Sequence, residues 1–199
     1  TPASGNISAS ATVPGSIQCS APFSSSLALS GFDVQNPGFA DIMLVLDESG
    51  SINAQDFQRE KSFAISVINN LMTTPGGARV GMVQFSGDAR LTMQLQTNKQ
   101  AALNQVNSMY QRGGSTCIGC GVQTARSHFL QQPRPQATQF MIVLTDGANN
   151  VNTGTFAGIV TQAKNAGIKL IAIGVGAAVQ SEIDFIASDI PNVQTSFFI

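Results

Sequence analysis

Ile42-Met43-Leu44-Val45-Leu46 is an uninterrupted apolar run of strand length that stops abruptly at Asp47-Glu48-Ser49-Gly50-Ser51. A strand with one wet face alternates apolar and polar residues, so a run without alternation needs cover on both faces. The sequence supplies that cover. Phe57, Phe63, Ala64, Val67, Ile68 and Leu71 recur at three- and four-residue spacings and predict a helix ending before Thr74-Pro75-Gly76-Gly77. Residues 80–85 and 89–95 predict two strands joined by Ser86-Gly87-Asp88, a separation suited to an antiparallel hairpin.

Helices are predicted from 99 to about 109 and from Thr116 to about 131, where Pro133 and Pro135 prevent continuation. From there the alternation is regular: strand 140–145, helix 156–166 stopped by Gly167, strand 168–173, helix 179–187 and strand 193–199. Right-handed crossovers then give an α/β fold. The expectation is a doubly wound, mostly parallel six-stranded sheet with one antiparallel edge strand and helices on both faces. Residues 1–38 are rich in Ser, Ala, Pro and Gly and read as an extended N-terminal arm before a compact domain at 39–199.

Composition narrows function. Charged residues are 11% of the 199, net charge is −1 and no Lys/Arg cluster exists, which argues against nucleic acid or an anionic membrane as partner. No apolar run approaches a membrane span, and Thr1 without a charged and apolar leader reads as a processed start rather than a signal peptide. Asn6-Ile7-Ser8 matches a glycosylation acceptor, a pattern common by chance.

In a parallel sheet, sites form at the carboxyl ends of strands. The loops there carry Asp47, Ser49 and Ser51, then Thr116, then Asp146 after Thr145. Two carboxylates and three hydroxyls are hard oxygen donors, which select Mg²⁺, with Mn²⁺ or Ca²⁺ as alternatives. Alone, Asp47-x-Ser49-x-Ser51 could be no more than a turn capping the next helix.

These residues in this order, with Arg79-Val80-Gly81-Met82-Val83-Gln84-Phe85-Ser86 and Ile173-Gly174-Val175-Gly176, resemble a von Willebrand factor type A domain over about residues 41–199. The resemblance implies a Rossmann-like fold and a metal-ion-dependent adhesion site. In it Ser49 and Ser51 would bind the ion directly, and Asp47, Thr116 and Asp146 directly or through water. It further implies a non-enzymatic adhesion domain, secreted, on a cell surface or in extracellular matrix, whose metal captures an exposed carboxylate of a protein, or a glycan. Ser86, Asp88, Ala148 and Asn149 would form the rim that sets selectivity. Members with an affinity switch carry a further helix after the last strand; this sequence ends at Phe197-Phe198-Ile199, so a metal site is implied and a switch is not.

Two other readings compete. The domain could be an assembly module of an adhesin, pilus or matrix, as the arm suggests. It could be a metal-dependent hydrolase, but a phosphatase of the haloacid dehalogenase type would need a second Asp where Ser49 stands, with a basic phosphate clamp.

Three cysteines leave one thiol over. Cys117 could pair with Cys120 and stiffen the Thr116 loop, or Cys19 could pair with either and staple the arm. A zinc site from Cys19, Cys117, Cys120 and His128 has the ligand count without a familiar spacing. A redox role for Cys117-Ile118-Gly119-Cys120 lacks the thioredoxin context. His128 reads as a solvated or partly packed helix residue. Gly174-Val175-Gly176 has Val179 at the third glycine position of a dinucleotide fingerprint, and so reads as a strand-to-helix turn.

Overall fold

The computed structural model describes residues 39–72, 77–191 and 193–198; the expected arm, with Cys19 and Asn6-Ile7-Ser8, lies outside the described residues. In chain order the elements are β1 (Ala40–Asp47), α1 (Ala54–Leu71), β2 (Arg79–Phe85), β3 (Ala89–Gln96), α2 (Lys99–Asn107), α3 (Ile118–Gln131), β4 (Thr138–Thr145), α4 (Thr153–Asn165), β5 (Lys169–Gly174), α5 (Gln180–Ile186) and β6 (Ser196–Phe198). They form one six-stranded sheet in the order β3-β2-β1-β4-β5-β6. Every pairing is parallel except that of β3 with β2, which places the antiparallel strand at an edge as expected.

All eight residues of β1 are buried. The pleat sends Leu44 and Leu46 to one face, against Phe57, Phe63 and Ile68 of α1 and Ala102 and Val106 of α2. Met43 and Val45 go to the other, against Val122 and Phe129 of α3, Val160 of α4 and Ile183 of α5. Cover on both faces is the physical reason the run carries no polar residue. The α3 helix lies so close to the sheet that a Cβ on Gly121 would sit 2.7 Å from Val45 Cγ1 and 2.8 Å from the Phe85 ring.

Some element ends differ from expectation. The α2 helix stops at Asn107, where Lys61 Nζ takes the carbonyls of Asn107 and Met109 at 2.9 and 3.2 Å and so satisfies acceptors left open by the helix end. The last strand begins at Ser196 rather than 193, with Ile199 outside the described residues; Val193 instead bridges Ile190, and Thr195 Oγ1 donates to Ser188 O at 2.6 Å. His128, read as solvated or partly packed, is 4% exposed and therefore packed, and its Nε2 accepts the Leu95 N–H at 3.2 Å. Toward the opposite edge of the sheet, Gly174 ends β5 where a Cβ would meet the Phe198 ring at 2.7 Å, so packing accounts for that glycine.

The sheet order places the site. The chain leaves β1 toward β2 on one side, while β4 joins β1 on the other. Crossovers therefore run in opposite directions on either side of β1, and a crevice opens at the carboxyl ends of β1 and β4.

Candidate metal centre

Three loops meet in that crevice through backbone bonds. Glu48 N donates to Phe85 O at 2.8 Å, Gly50 N to Gly114 O and Gly113 N to Glu48 O, both at 2.9 Å. Gln111 Nε2 donates to Ser49 O and Ile52 O, both at 2.7 Å. The loop before α3 is tied to the loop after β4 in turn: Asn150 N donates to Thr116 O, and Thr116 N to Asn150 Oδ1, both at 2.9 Å.

The side chains follow. Asp47 is fully buried at the end of β1; its Oδ1 accepts Ser49 N–H at 2.8 Å and its Oδ2 accepts the Thr145 hydroxyl at 2.6 Å. Ser49 Oγ lies 2.9 Å from Ser51 Oγ, and Ser51 Oγ donates to Asp146 Oδ1 at 2.6 Å. A methyl group built on Gly147 would stand 3.4 Å from Ser51 Oγ and 3.7 Å from Thr116 Oγ1. Glycine at 147 thus leaves space between the loop carrying Asp146 and those two hydroxyls.

The electrostatics are one-sided. Burial pushes the Asp47 carboxyl up to about 6, against the lowering effect of the Thr145 and Ser49 hydrogen bonds, and the Asp146 charge adds to the rise. Burial likewise raises Asp146, opposed by the Ser51 hydroxyl. Among the described residues no Lys, Arg or His makes an ion pair with either. Two converging carboxylates without a cation, flanked by hydroxyl oxygens, fit a hard divalent ion. No group of three His, Cys, Asp or Glu converges among the described residues, and three of the five expected donors are hydroxyls.

Neighbouring charge is handled differently. Glu48 is also fully buried, but Arg90 Nη2 reaches its Oε2 at 2.7 Å and Arg112 Nε reaches its Oε1. Arg112 also donates to Ser86 Oγ at 3.2 Å and pairs with Asp88, whose carboxyl it holds below the usual range. Of the expected rim, Asp88 and Ala148 are exposed, while Ser86 is 5% exposed and Asn149 6%. Asn149 turns inward: its N–H donates to Glu182 Oε2 at 2.8 Å, its Oδ1 accepts Gly119 N–H at 3.4 Å and its Nδ2 donates to Val151 O at 3.0 Å.

Cys117 and Cys120 form a disulfide directly after Thr116. Their sulfurs are bonded to each other and His128 Nε2 is taken by Leu95, so these residues do not make the zinc site that their count allowed.

Sequence reasoning missed Glu60. It is 1% exposed on the inner face of α1, with no hydrogen-bond partner for either carboxyl oxygen among the described residues. Burial raises its carboxyl well above the usual range, and the charges of Asp47 and Asp146 raise it further. The signal was present, since Glu60 stands three residues from both Phe57 and Phe63 on the apolar stripe.

The sequence model of the von Willebrand factor type A domain matches residues 41–199. The chain belongs to that family. It is 32% identical to human collagen alpha-1(XX) chain over 75% of its length, and 31% identical to human matrilin-4 over 80%. Those alignments span 12% and 26% of the two relatives, so the match is to one domain of longer proteins. A solved structure of proximal thread matrix protein 1 from the mussel byssus, with a zinc-occupied MIDAS motif, superposes with a TM-score of 0.70 at 28% identity. It covers 75% of this chain, which covers 41% of that protein. Among the described residues of this type A domain, no helix is long and apolar enough to cross a membrane.

Proposed function

We propose that this type A domain is an extracellular adhesion unit that binds a divalent cation, Mg²⁺ with Mn²⁺ or Ca²⁺ as alternatives, on Asp47, Ser49, Ser51, Thr116 and Asp146. The observation that carries the reading is the convergence of two cation-free carboxylates with hydroxyl oxygens from three loops at one end of the sheet. A bound ion would supply a Lewis acid able to take a carboxylate oxygen from a protein partner or an acidic glycan. Asp47 would anchor the first loop, with both oxygens already accepting hydrogen bonds from Ser49 and Thr145. Ser49, Ser51 and Thr116 would add no negative charge, leaving the ion electron-poor toward an outside ligand. Asp88 and Ala148, exposed at the edges, would meet the partner, with Arg112 fixing the Asp88 side.

No catalytic role is assigned. The collagen and matrilin relatives support a setting outside the cell, and the likeness to a byssal matrix protein also favours an assembly role in a larger matrix. Calorimetry with Mg²⁺ and Mn²⁺, repeated with Asp146→Ala, tests the metal site. Capture of matrix or cell-surface proteins with and without EDTA tests its use. Binding of metal by the parent chain, lost in the variant, is expected; equal affinity in both sinks the reading.

A further inference from the structure

The Cys117–Cys120 disulfide closes the first turn of α3 at the candidate metal centre, and the loop that carries Asp146 reaches it. Cys117 follows Thr116 directly, and Asn152 Nδ2, at the end of the loop that carries Asp146, lies 3.8 Å from Cys117 Sγ and 3.7 Å from Cys120 Sγ. Asn152 is the N-cap of α4, yet its side chain makes no capping bond, and it is held in the left-handed region at φ 53°. A non-glycine residue rarely adopts that conformation. Here it turns the amide toward the sulfurs. Two residues earlier, Asn150 Oδ1 accepts the Thr116 N–H. Disulfide, Thr116 and the Asp146 loop are therefore one connected unit.

The two sulfurs differ. Cys117 is fully buried, whereas Cys120 is partly exposed. Cys117 Sγ also caps α3, accepting the Cys120 N–H at 3.3 Å. We propose that Cys120 is a thiol–disulfide exchange site for a dithiol reductant, and that opening the bond removes a brace beside Thr116 and weakens divalent-cation binding. The second part rests on the metal-site reading above.

The chemistry balances. A thiolate of the reductant attacks Cys120 Sγ, the reachable sulfur. The Cys117–Cys120 bond breaks, and its electron pair leaves on Cys117 Sγ, at the positive end of α3 beside the Cys120 N–H and the Asn152 amide. The second thiol of the reductant then displaces Cys120 from the mixed disulfide. The reductant leaves as its own disulfide, and the chain holds two thiols after Cys117 takes a proton from solvent. The cysteines are only three positions apart. Closing so short a loop constrains the unfolded chain far less than a long one does, so the bond acts chiefly on the local turn. Opening it should leave α3 seated by Ile118, Val122 and Phe129.

The test uses the full chain carrying Cys19→Ser, so that only this pair reports. The folded protein is treated with dithiothreitol, alkylated with iodoacetamide and mapped by mass spectrometry. Label at both Cys117 and Cys120 without denaturant is expected, with faster alkylation of Cys120 in Cys117→Ser than of Cys117 in Cys120→Ser. Mg²⁺ affinity, measured by calorimetry, should fall about tenfold in Cys117→Ser/Cys120→Ser, the size typical when groups behind metal ligands are lost. Serine keeps an oxygen acceptor at the α3 cap, and a cooperative melt verifies folding. Label only after denaturation overturns the exchange site, and unchanged Mg²⁺ affinity overturns the coupling. If the disulfide form itself binds no Mg²⁺, the metal reading falls and the coupling with it, while the labelling still decides whether exchange occurs.

Discussion

The β1 strand carries a buried carboxylate at each end, and the two are treated in opposite ways. Near the amino end, fully buried Asp41 is gripped by Arg79 through Nε at 2.7 Å and Nη2 at 2.6 Å, with Arg134 Nη1 at 3.3 Å. At the carboxyl end, equally buried Asp47 has only an N–H and a hydroxyl for company. One end is closed electrostatically and holds the strand. The other is left with negative charge that burial penalises and that no basic side chain among the described residues offsets.

The largest effect should come from opening the closed end. Arg79→Met strips Asp41 of its two-pronged partner, and breaking a buried pair costs about 3–5 kcal/mol. Urea unfolding should show that loss while Mg²⁺ affinity stays at the parent value. A loss of metal binding at constant stability would mean that the two ends are not independent.

At the other end the sign reverses. Asp47 binds its proton more tightly folded than unfolded, so the metal-free domain should gain stability as pH falls from 7 through about 6 toward 3.8. At about 1.4 kcal/mol per unit, the gain relative to Asp47→Asn should total about 3 kcal/mol. With saturating Mg²⁺ the stabilisation by metal should instead vanish as pH drops through that range. Thermal melts with and without Mg²⁺ measure both, and parallel pH curves for parent and variant would remove Asp47 from the account.

Glu60 sharpens the contrast, being a buried acid with neither a basic partner nor a hydrogen bond among the described residues. Replacing it with Met removes an unsatisfied polar group from an apolar helix face and should stabilise the protein by about 1–3 kcal/mol. Destabilisation would show that Glu60 has a partner that the metal-free fold does not reveal.

The smallest effect concerns His128. Burial, and then the Arg79 charge, lower its pKa, and its Nε2 must stay unprotonated to accept from Leu95. Its contribution is present above about pH 6.5 and lost as pH falls below that value. The loss relative to His128→Gln should be about 1 kcal/mol, the worth of one hydrogen bond.

Much of the fold was legible because its signals are local. The apolar run of β1, the stripe of α1 and the hairpin at Ser86-Gly87-Asp88 each declare themselves within a few turns or pleats. The oxygen donors were legible too, since Asp47, Ser49 and Ser51 are neighbours in sequence and Asp146 ends an apolar strand. What could not be read was pairing across distance. Arg112 meets Glu48 across 64 residues, and Ser51 meets Asp146 across 95. Nor did the inward turn of the Asn149 side chain show, because it depends on the Gly119 N–H at the start of α3 meeting its Oδ1 across 30 residues.

Periodicity, capping and spacing act within one element, and so the sequence by itself determined the strand–helix alternation, the parallel sheet and the loops that carry oxygen. Which buried charges are neutralised depends on groups brought from elsewhere in the chain and on how much water they exclude. Only the tertiary structure decided that Asp41 and Glu48 are paired with arginines, and that, among the described residues, Glu60 has no hydrogen-bond partner and Asp47 and Asp146 at the switch point of the sheet have no basic one.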